Sequence, residues 1–301
     1  MKHLTILLAA SSLAVHTLAQ VPPPSWFPFL PASHLEFSAC ITNGTGTASG
    51  FVMQASNSVY LVTARHVLFN PEVNNATNYT LKNTNSPLIC STYFVETPST
   101  NHTRQWTIDA YFALARGEIK YLTNHDVCLI RFQDCNPINK HITTSLEWVK
   151  WITSGGLFQF EEYFFQRMTN VEIGADCYGV GFPSVLGLLN SNALDLSQPL
   201  LRKGIIAGTN GQRGVIIADC PVYKGNSGGM VITRSIGLGQ ASGGGIVPVT
   251  RWYIIGIQTE FIPVLTKIEE NPSMGYKSIG YDNSYYSLVE PMDGILDLVW
   301  K

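Results

Sequence analysis

The chain has 301 residues, only 13% of them charged, and a formal net charge of −2, a balance that excludes a polybasic surface for nucleic acid or anionic membrane. With 26 Gly, 16 Pro and 11% aromatic residues, and with Asn, Ser, Thr and Gly in place of charge at the surface, the composition suits an exported all-β protein. The length allows one large domain or two subdomains with a substantial core.

At the N-terminus, Lys2 and His3 precede the apolar run LTILLAASSLAV, and small Ala19 follows ahead of Gln20. This order predicts a signal peptide over residues 1–19. The run is short for a bilayer span and is flanked by His16 and Thr17. Export to the extracellular space or a periplasm is expected, with no membrane association after signal removal. Residues 20–33, QVPPPSWFPFLPAS, form a proline-dense arm that cannot be helical. Six cysteines (Cys40, Cys90, Cys128, Cys135, Cys177 and Cys220) are an even set. In an oxidising compartment they predict disulfides, with every connectivity open. The absence of C-x-x-C and H-x-x-x-H pairs argues against zinc, and no metal or cofactor is expected. Sequons begin at Asn43, Asn75, Asn78 and Asn101, acceptors for glycan in a eukaryotic secretory route.

From residue 34 onward the chain reads as short strands broken by turn residues. SGFVMQ and SVYLVTA, separated by a polar stretch with Asn57, predict a hairpin. VTARHVLF places His66 just past a strand, and DVCLIRF is a further strand opened by Asp126. Residues 141–165 include SLEWVKWI, with helix-like spacing suited to a connector. VEIGADCYGVGF, KGIIAGT, GVIIADC, GMVITRS and RWYIIGIQTEF follow, again short strands between glycines. Met292, Ile295, Leu296 and Val299 then recur at helical spacing, predicting a C-terminal helix over 291–301. Two runs of short strands indicate two small β-barrels or a sandwich.

Between two of the later strands stands KGNSGG, residues 224–229. A lone Ser227 framed by glycines is either a surface turn or a nucleophile on a tight turn with bare N–H groups aimed at the reacting atom. Chance alone yields G-x-S-G-G in roughly one chain in a hundred of this length, so other residues must decide. A serine hydroxyl needs a positioned base, usually histidine held by a carboxylate. The α/β-hydrolase order, with histidine after serine, is excluded because the last histidine is His141. Asp–His–Ser order would need His125 or His141 after Asp109, in unhelpful contexts. His–Asp–Ser order remains. His66 at a strand end and Asp126 ahead of an apolar strand are its best candidates, whereas His34, His102, His125 and His141 lie in polar or proline-flanked stretches that suit surface residues.

Taken together, LVTARHV, HDVCLIRF and KGNSGGMVI resemble the histidine, aspartate and serine blocks of trypsin-like serine proteases. GNSGG, SGFV ahead of the histidine block, and the lack of an activation-type start resemble the HtrA-like, bacterial-type branch. The resemblance implies an all-β fold of two six-stranded antiparallel barrels packed side by side, plus the C-terminal helix. A peptidase domain would span 34–290, with barrel 1 over about 34–140 and barrel 2 over about 166–290. It further implies Ser227 as nucleophile, His66 as base, Asp126 as its orienter, and the N–H groups of Gly225 and Ser227 as the oxyanion hole. His66 should then lie within hydrogen-bond reach of both Asp126 and Ser227. Pro221, Val222, Thr259, Glu260 and Phe261 would line the substrate cleft, with Thr259 placed to hydrogen-bond Asp126. Asn226 argues against activation by a new N-terminal amine. Pro221, where trypsin-like specificity would want aspartate, argues against cleavage after Arg or Lys. Cys128 is expected to be buried and structural, and Arg65 a solvated side chain. The function implied is a secreted serine endopeptidase acting on a protein or peptide. The alternatives are an inactive homologue that binds a partner, and an esterase on the same fold.

Overall fold

The computed structural model describes residues 35, 37–44, 46–55, 58–72, 75–82, 86–97, 100–132, 142–143, 164–184, 195, 197–240, 244–271 and 276–300. The leader, the proline-rich arm, Cys135 and all but the ends of the 141–165 connector lie outside these residues.

Alternation of apolar and polar residues builds β1 (Ser38–Thr42), in which Ala39 and Ile41 are fully buried while Cys40 between them is half-buried. The predicted hairpin forms from β2 (Thr47–Ala55) and β3 (Ser58–Thr63), closing at Ala55 opposite Ser58. Val59 to Thr63 are buried without interruption, the mark of a strand covered on both faces. One helical turn, α1 (Arg65–Leu68), follows, then a ribbon of β4 (Phe69–Glu72) and β5 (Asn75–Leu81). A long hairpin of β6 (Leu88–Thr97) and β7 (Thr100–Ile108) leads into α2 (Ala110–Ala115), capped by the Asp109 carboxylate on Phe112 N–H at 2.9 Å. Strands β8 (Ile119–Tyr121), β9 (Cys128–Phe132) and β10 (Ile142–Thr143) complete the first half. They form a curled eight-stranded sheet in the order β10-β7-β6-β1-β2-β3-β9-β8. The strands beyond the expected six are short: β10 adds to the edge of β7, and β8 forms a hairpin with β9.

The second half is a closed six-stranded barrel of β11 (Asp176–Gly181), β12 (Leu200–Asn210), β13 (Val215–Asp219), β14 (Met230–Gln240), β15 (Ile246–Asn271) and β16 (Tyr276–Pro291). Pairing of β11 with β14 closes it. This is the chymotrypsin-like double barrel. Ile206, Ile216, Val231, Ile255 and Val289 fill the second barrel, while a larger cluster joins the first barrel to the seam between the two.

The predicted C-terminal helix is α3 (Met292–Trp300); Met292, Ile295, Leu296 and Leu298 are buried, with Val299 half-buried. It leaves β16 of the second barrel and packs on the first, where a Cβ at Gly294 would come within 2.9 Å of Leu122. No helix among the described residues is long and apolar enough to cross a membrane. Asn43, the first sequon, is a poor glycan acceptor. Its side chain is buried, donating to Val67 O at 2.9 Å and accepting from Gly46 N–H at 3.1 Å.

Candidate active site

His66 and Asp126 meet where two strand ends of the first sheet converge. β3 and β9 pair up to Thr63 opposite Cys128, so the residues just past one strand and just before the other lie side by side. Asp126 Oδ2 binds His66 Nδ1 at 2.5 Å, and Oδ1 accepts the His66 backbone N–H at 2.9 Å. An ionised carboxylate only accepts, so it holds the imidazole proton on Nδ1 and leaves the Nε2 lone pair free. The imidazole side chain is 44% exposed and the carboxylate 23%. Burial pushes the Asp126 carboxyl up. The hydrogen bonds and charge of His66, with Arg65 behind them, outweigh that burial and hold it below its ordinary value.

Ser227 stands on the turn between β13 and β14. Gly225 and Gly228 flank it with φ of +96° and +87°, a region L side chains rarely adopt. Gly228 also has no room: a Cβ there would lie 2.2 Å from Ser49 O, 2.3 Å from Thr63 Oγ1 and 2.8 Å from Ala64 N. The serine turn therefore lodges against the segment two residues ahead of His66. Within the turn, Asn226 N–H binds Tyr223 O, Gly228 N–H binds Gln258 O, and Gly229 N–H binds Asn226 O. Among the described residues the N–H groups of Gly225 and Ser227 have no acceptor, which leaves both available to an incoming oxygen.

The Ser227 hydroxyl donates to Thr259 O at 3.4 Å, and among the described residues it makes no hydrogen bond to His66. The expected reach of His66 to both partners is thus made only to Asp126. Thr259 does not take its expected partner either: its buried hydroxyl donates to Leu288 O at 3.3 Å, not to Asp126. The cause is a bulge between Gln258 and Glu260 in β15, which turns the Thr259 side chain towards β16. Val222 is buried, with its carbonyl held by Asn283 Nδ2 at 2.8 Å, and Pro221 is half-buried beside it. Glu260 and Phe261 are exposed at the start of the long β15–β16 hairpin. Asn226 is 3% exposed, and its Oδ1 has no partner among the described residues.

Three residues have larger roles than their sequence contexts indicated. Arg65 is not a solvated side chain. Its guanidinium lies 4.1 Å over the Tyr79 ring and donates to Leu122 O and, at 2.8 Å, to His125 O, while its N–H binds Asp126 O at 3.3 Å. His125 is no free surface residue either: its Nδ1 pairs with Glu290 Oε2 at 2.8 Å across the seam. Ser49, one small residue within an apolar strand, is fully buried and bonds the serine turn from the other barrel. Only the preceding Arg-His pair carried any signal in the sequence; the partners of all three are remote in the chain. Cys128 is fully buried, and burial pushes its thiol up, in keeping with an inert structural residue.

A double barrel with a histidine–aspartate pair beside a glycine-framed serine turn is the arrangement of trypsin-like serine proteases. The chain belongs to that family: the model of the trypsin-like peptidase domain matches residues 48–257. Its reaction class is accordingly peptide-bond hydrolysis, with protein or peptide as substrate. Among solved structures, protease Anisep from Arthrobacter nicotinovorans is 15% identical, with a TM-score of 0.44, covering 87% of this chain and 91% of its own. The thermostable serine protease AL20 from an extremophilic microorganism is 14% identical, with a TM-score of 0.39, covering 76% of this chain and 87% of its own. No curated protein matches the chain.

Proposed function

We propose that this protein is an exported serine endopeptidase of the GNSGG, HtrA-like type, working through Ser227, His66 and Asp126. The observation that carries the reading is the two-point hold of Asp126 on His66, set beside a serine turn with two N–H groups that have no acceptor among the described residues. Ser227 Oγ leaves Thr259 O and attacks the scissile carbonyl carbon as its proton passes to His66 Nε2. Asp126 stabilises the imidazolium, and the N–H groups of Gly225 and Ser227 receive the oxyanion, worth about 3–4 kcal/mol of barrier. His66 then protonates the leaving amine, giving the acyl-enzyme. Water attacks next, its proton taken by His66 and returned to Ser227 as the carboxylic acid departs. Half-buried Pro221, packed beside buried Val222, offers the substrate an uncharged surface, and Phe261 an exposed aromatic ring, favouring apolar side chains over Arg or Lys.

The test is labelling by a fluorophosphonate together with cleavage of a peptide library. Wild type should be labelled and the folded Ser227→Ala variant should not; a folded, unlabelled wild type would end the enzyme reading. The Ser227 hydrogen bond to Thr259 O favours a second reading, an inactive homologue that binds a partner on the same barrels. Ester turnover with no peptide cleaved would point instead to an esterase.

Export would bring the protein into an oxidising compartment, where Cys177 and Cys220, free thiols in this structure, would join as a disulfide. Both are buried inside the second barrel. Cys177 pairs across β12 with Gly204, where a Cβ would come within 2.7 Å of Cys220 Cβ, so the glycine leaves Cys220 room to approach. A Cβ at Gly179, two residues along β11 from Cys177, would lie 3.4 Å from Cys220 Sγ, so both sulfurs occupy one face of that strand. A hydrogen bond between them lowers the Cys220 thiol and raises that of Cys177. Cys40 and Cys90 are offset by one residue on neighbouring strands and face opposite ways. Oxidation by thiol–disulfide exchange would remove both thiol protons and reduce a disulfide donor to two thiols.

A further inference from the structure

The proposed site is built from two barrels: His66 and Asp126 come from the first, Gly225 and Ser227 from the second. Neither barrel by itself fixes the distance between base and nucleophile. One buried residue, Ser49 on β2, bonds to both halves.

Every polar atom of Ser49 is used. Its Oγ donates to Gly225 O at 2.7 Å and accepts Phe182 N–H at 2.8 Å, both in the second barrel. Its N–H donates to Ser227 O at 2.9 Å. Its carbonyl accepts from Thr63 Oγ1 at 2.7 Å, and Thr63 ends the strand that delivers His66 three residues later. The side chain is fully buried. It fits because Gly181 and Gly229 present bare backbone to it: a Cβ on Gly181 would lie 2.8 Å from Ser49 Oγ, and one on Gly229 3.3 Å from Ser49 Cβ.

Resting on the serine-peptidase reading above, we propose that Ser49 is a positioning residue that locks the oxyanion turn of the second barrel in register with His66 of the first. Gly225, at φ +96°, has a backbone that a side chain would strain and that neighbouring bonds must hold in place. Two bonds hold it: Ser184 N–H fixes Lys224 O at 2.7 Å from within the second barrel, and Ser49 Oγ fixes Gly225 O from across the seam. The position demands a small side chain that donates and accepts at once, and serine meets it. Alanine there leaves a buried carbonyl and a buried N–H unpaired, and frees the peptide between Gly225 and Asn226, so that the turn carrying Ser227 can shift against the first barrel.

The experiment compares wild type with Ser49→Ala and with Thr63→Val, which removes only the bond anchoring Ser49 to the His66 strand. Turnover is followed on an acetylated apolar-peptide p-nitrophenyl ester and normalised by fluorophosphonate active-site titration. Affinity is measured for the matching peptide boronic acid, whose tetrahedral adduct needs the oxyanion N–H groups. Ser49→Ala should lower kcat about 10- to 100-fold with KM within about twofold. Boronate affinity should fall in parallel, while that of the corresponding peptide acid stays put. Thr63→Val should lower kcat several-fold in the same pattern. Unchanged kcat per active site in Ser49→Ala overturns the proposal, as does a loss confined to stability or to the titratable fraction. If Ser49→Ala does not fold, an unchanged kcat in Thr63→Val overturns it. A folded wild type that neither reacts with the phosphonate nor turns over removes the serine-peptidase reading and this proposal together; an active wild type with an indifferent Ser49→Ala removes this one alone.

Discussion

Asp126 holds His66 at two atoms, taking the imidazole Nδ1 on one carboxylate oxygen at 2.5 Å and the backbone N–H on the other at 2.9 Å. A single bond would leave the ring free to pivot; the second fixes the carboxylate relative to the chain that carries the ring. Tautomer and orientation are therefore set before substrate arrives.

Replacing Asp126 by Asn keeps the shape but offers an N–H₂ where an acceptor is needed, forcing the wrong tautomer. The loss in kcat should be about 10⁴-fold, measured on the peptide ester after active-site titration. Stability should respond to pH as well. The folded Asp126 carboxyl lies below its ordinary value, so its contribution is complete above the unfolded carboxylate range near about 4 and disappears as pH falls through the lower folded value. Urea midpoints for wild type and Asp126→Asn should differ by a constant amount above about pH 5 and converge in acid. A gap that widened in acid would contradict this.

Arg65 secures the Asp126 loop with two carbonyl contacts and a stack on Tyr79. Arg65→Ala should cost about 1.5–3 kcal/mol, the size of hydrogen bonds to a charged group. It should also lower kcat through the loosened aspartate. Lysine should restore less than half of either, because a point charge cannot stack and fork at once. Full rescue by Arg65→Lys in denaturant titration would show that charge alone matters.

Asn226 lies buried, and its Oδ1 has no hydrogen-bond partner among the described residues. Asn226→Asp would place a carboxylate where ionisation is opposed by desolvation, raising its pKa above the unfolded value. The destabilisation should be small in acid and grow with rising pH to about 3–5 kcal/mol, the cost of an uncompensated buried charge. Denaturation at pH 5 and pH 8 reads this directly. An Asp variant as stable as wild type at pH 8 would reveal a cationic partner for this position.

Non-reducing peptide mapping of the exported protein should recover Cys177 linked to Cys220. Serine at either position should cost about 3–4 kcal/mol, as expected for a disulfide closing a loop of several tens of residues. Reduction should then destabilise wild type but leave the serine variants unmoved. A map linking Cys177 or Cys220 to any other cysteine would refute the pairing.

The sequence by itself determined the elements whose signals are local. Two apolar runs parted by a polar stretch around Asn57 predicted the β2–β3 hairpin, helical spacing predicted α3, and the glycines around Ser227 marked a tight turn. Chain order then singled out His66 and Asp126. Only the tertiary structure decided what depends on residues remote in the chain. A bulge in β15 turned Thr259 away from Asp126, folding brought Arg65 over Tyr79, and closure of the second barrel placed Cys220 against Cys177. Ser49 is the clearest case. In the sequence it is a small hydroxyl residue in a largely apolar strand, and its bond to Gly225, 176 residues away, exists only because the two barrels share a seam. Hydrogen bonds across such a seam leave no period or motif in either segment, since each partner satisfies its own strand's pattern.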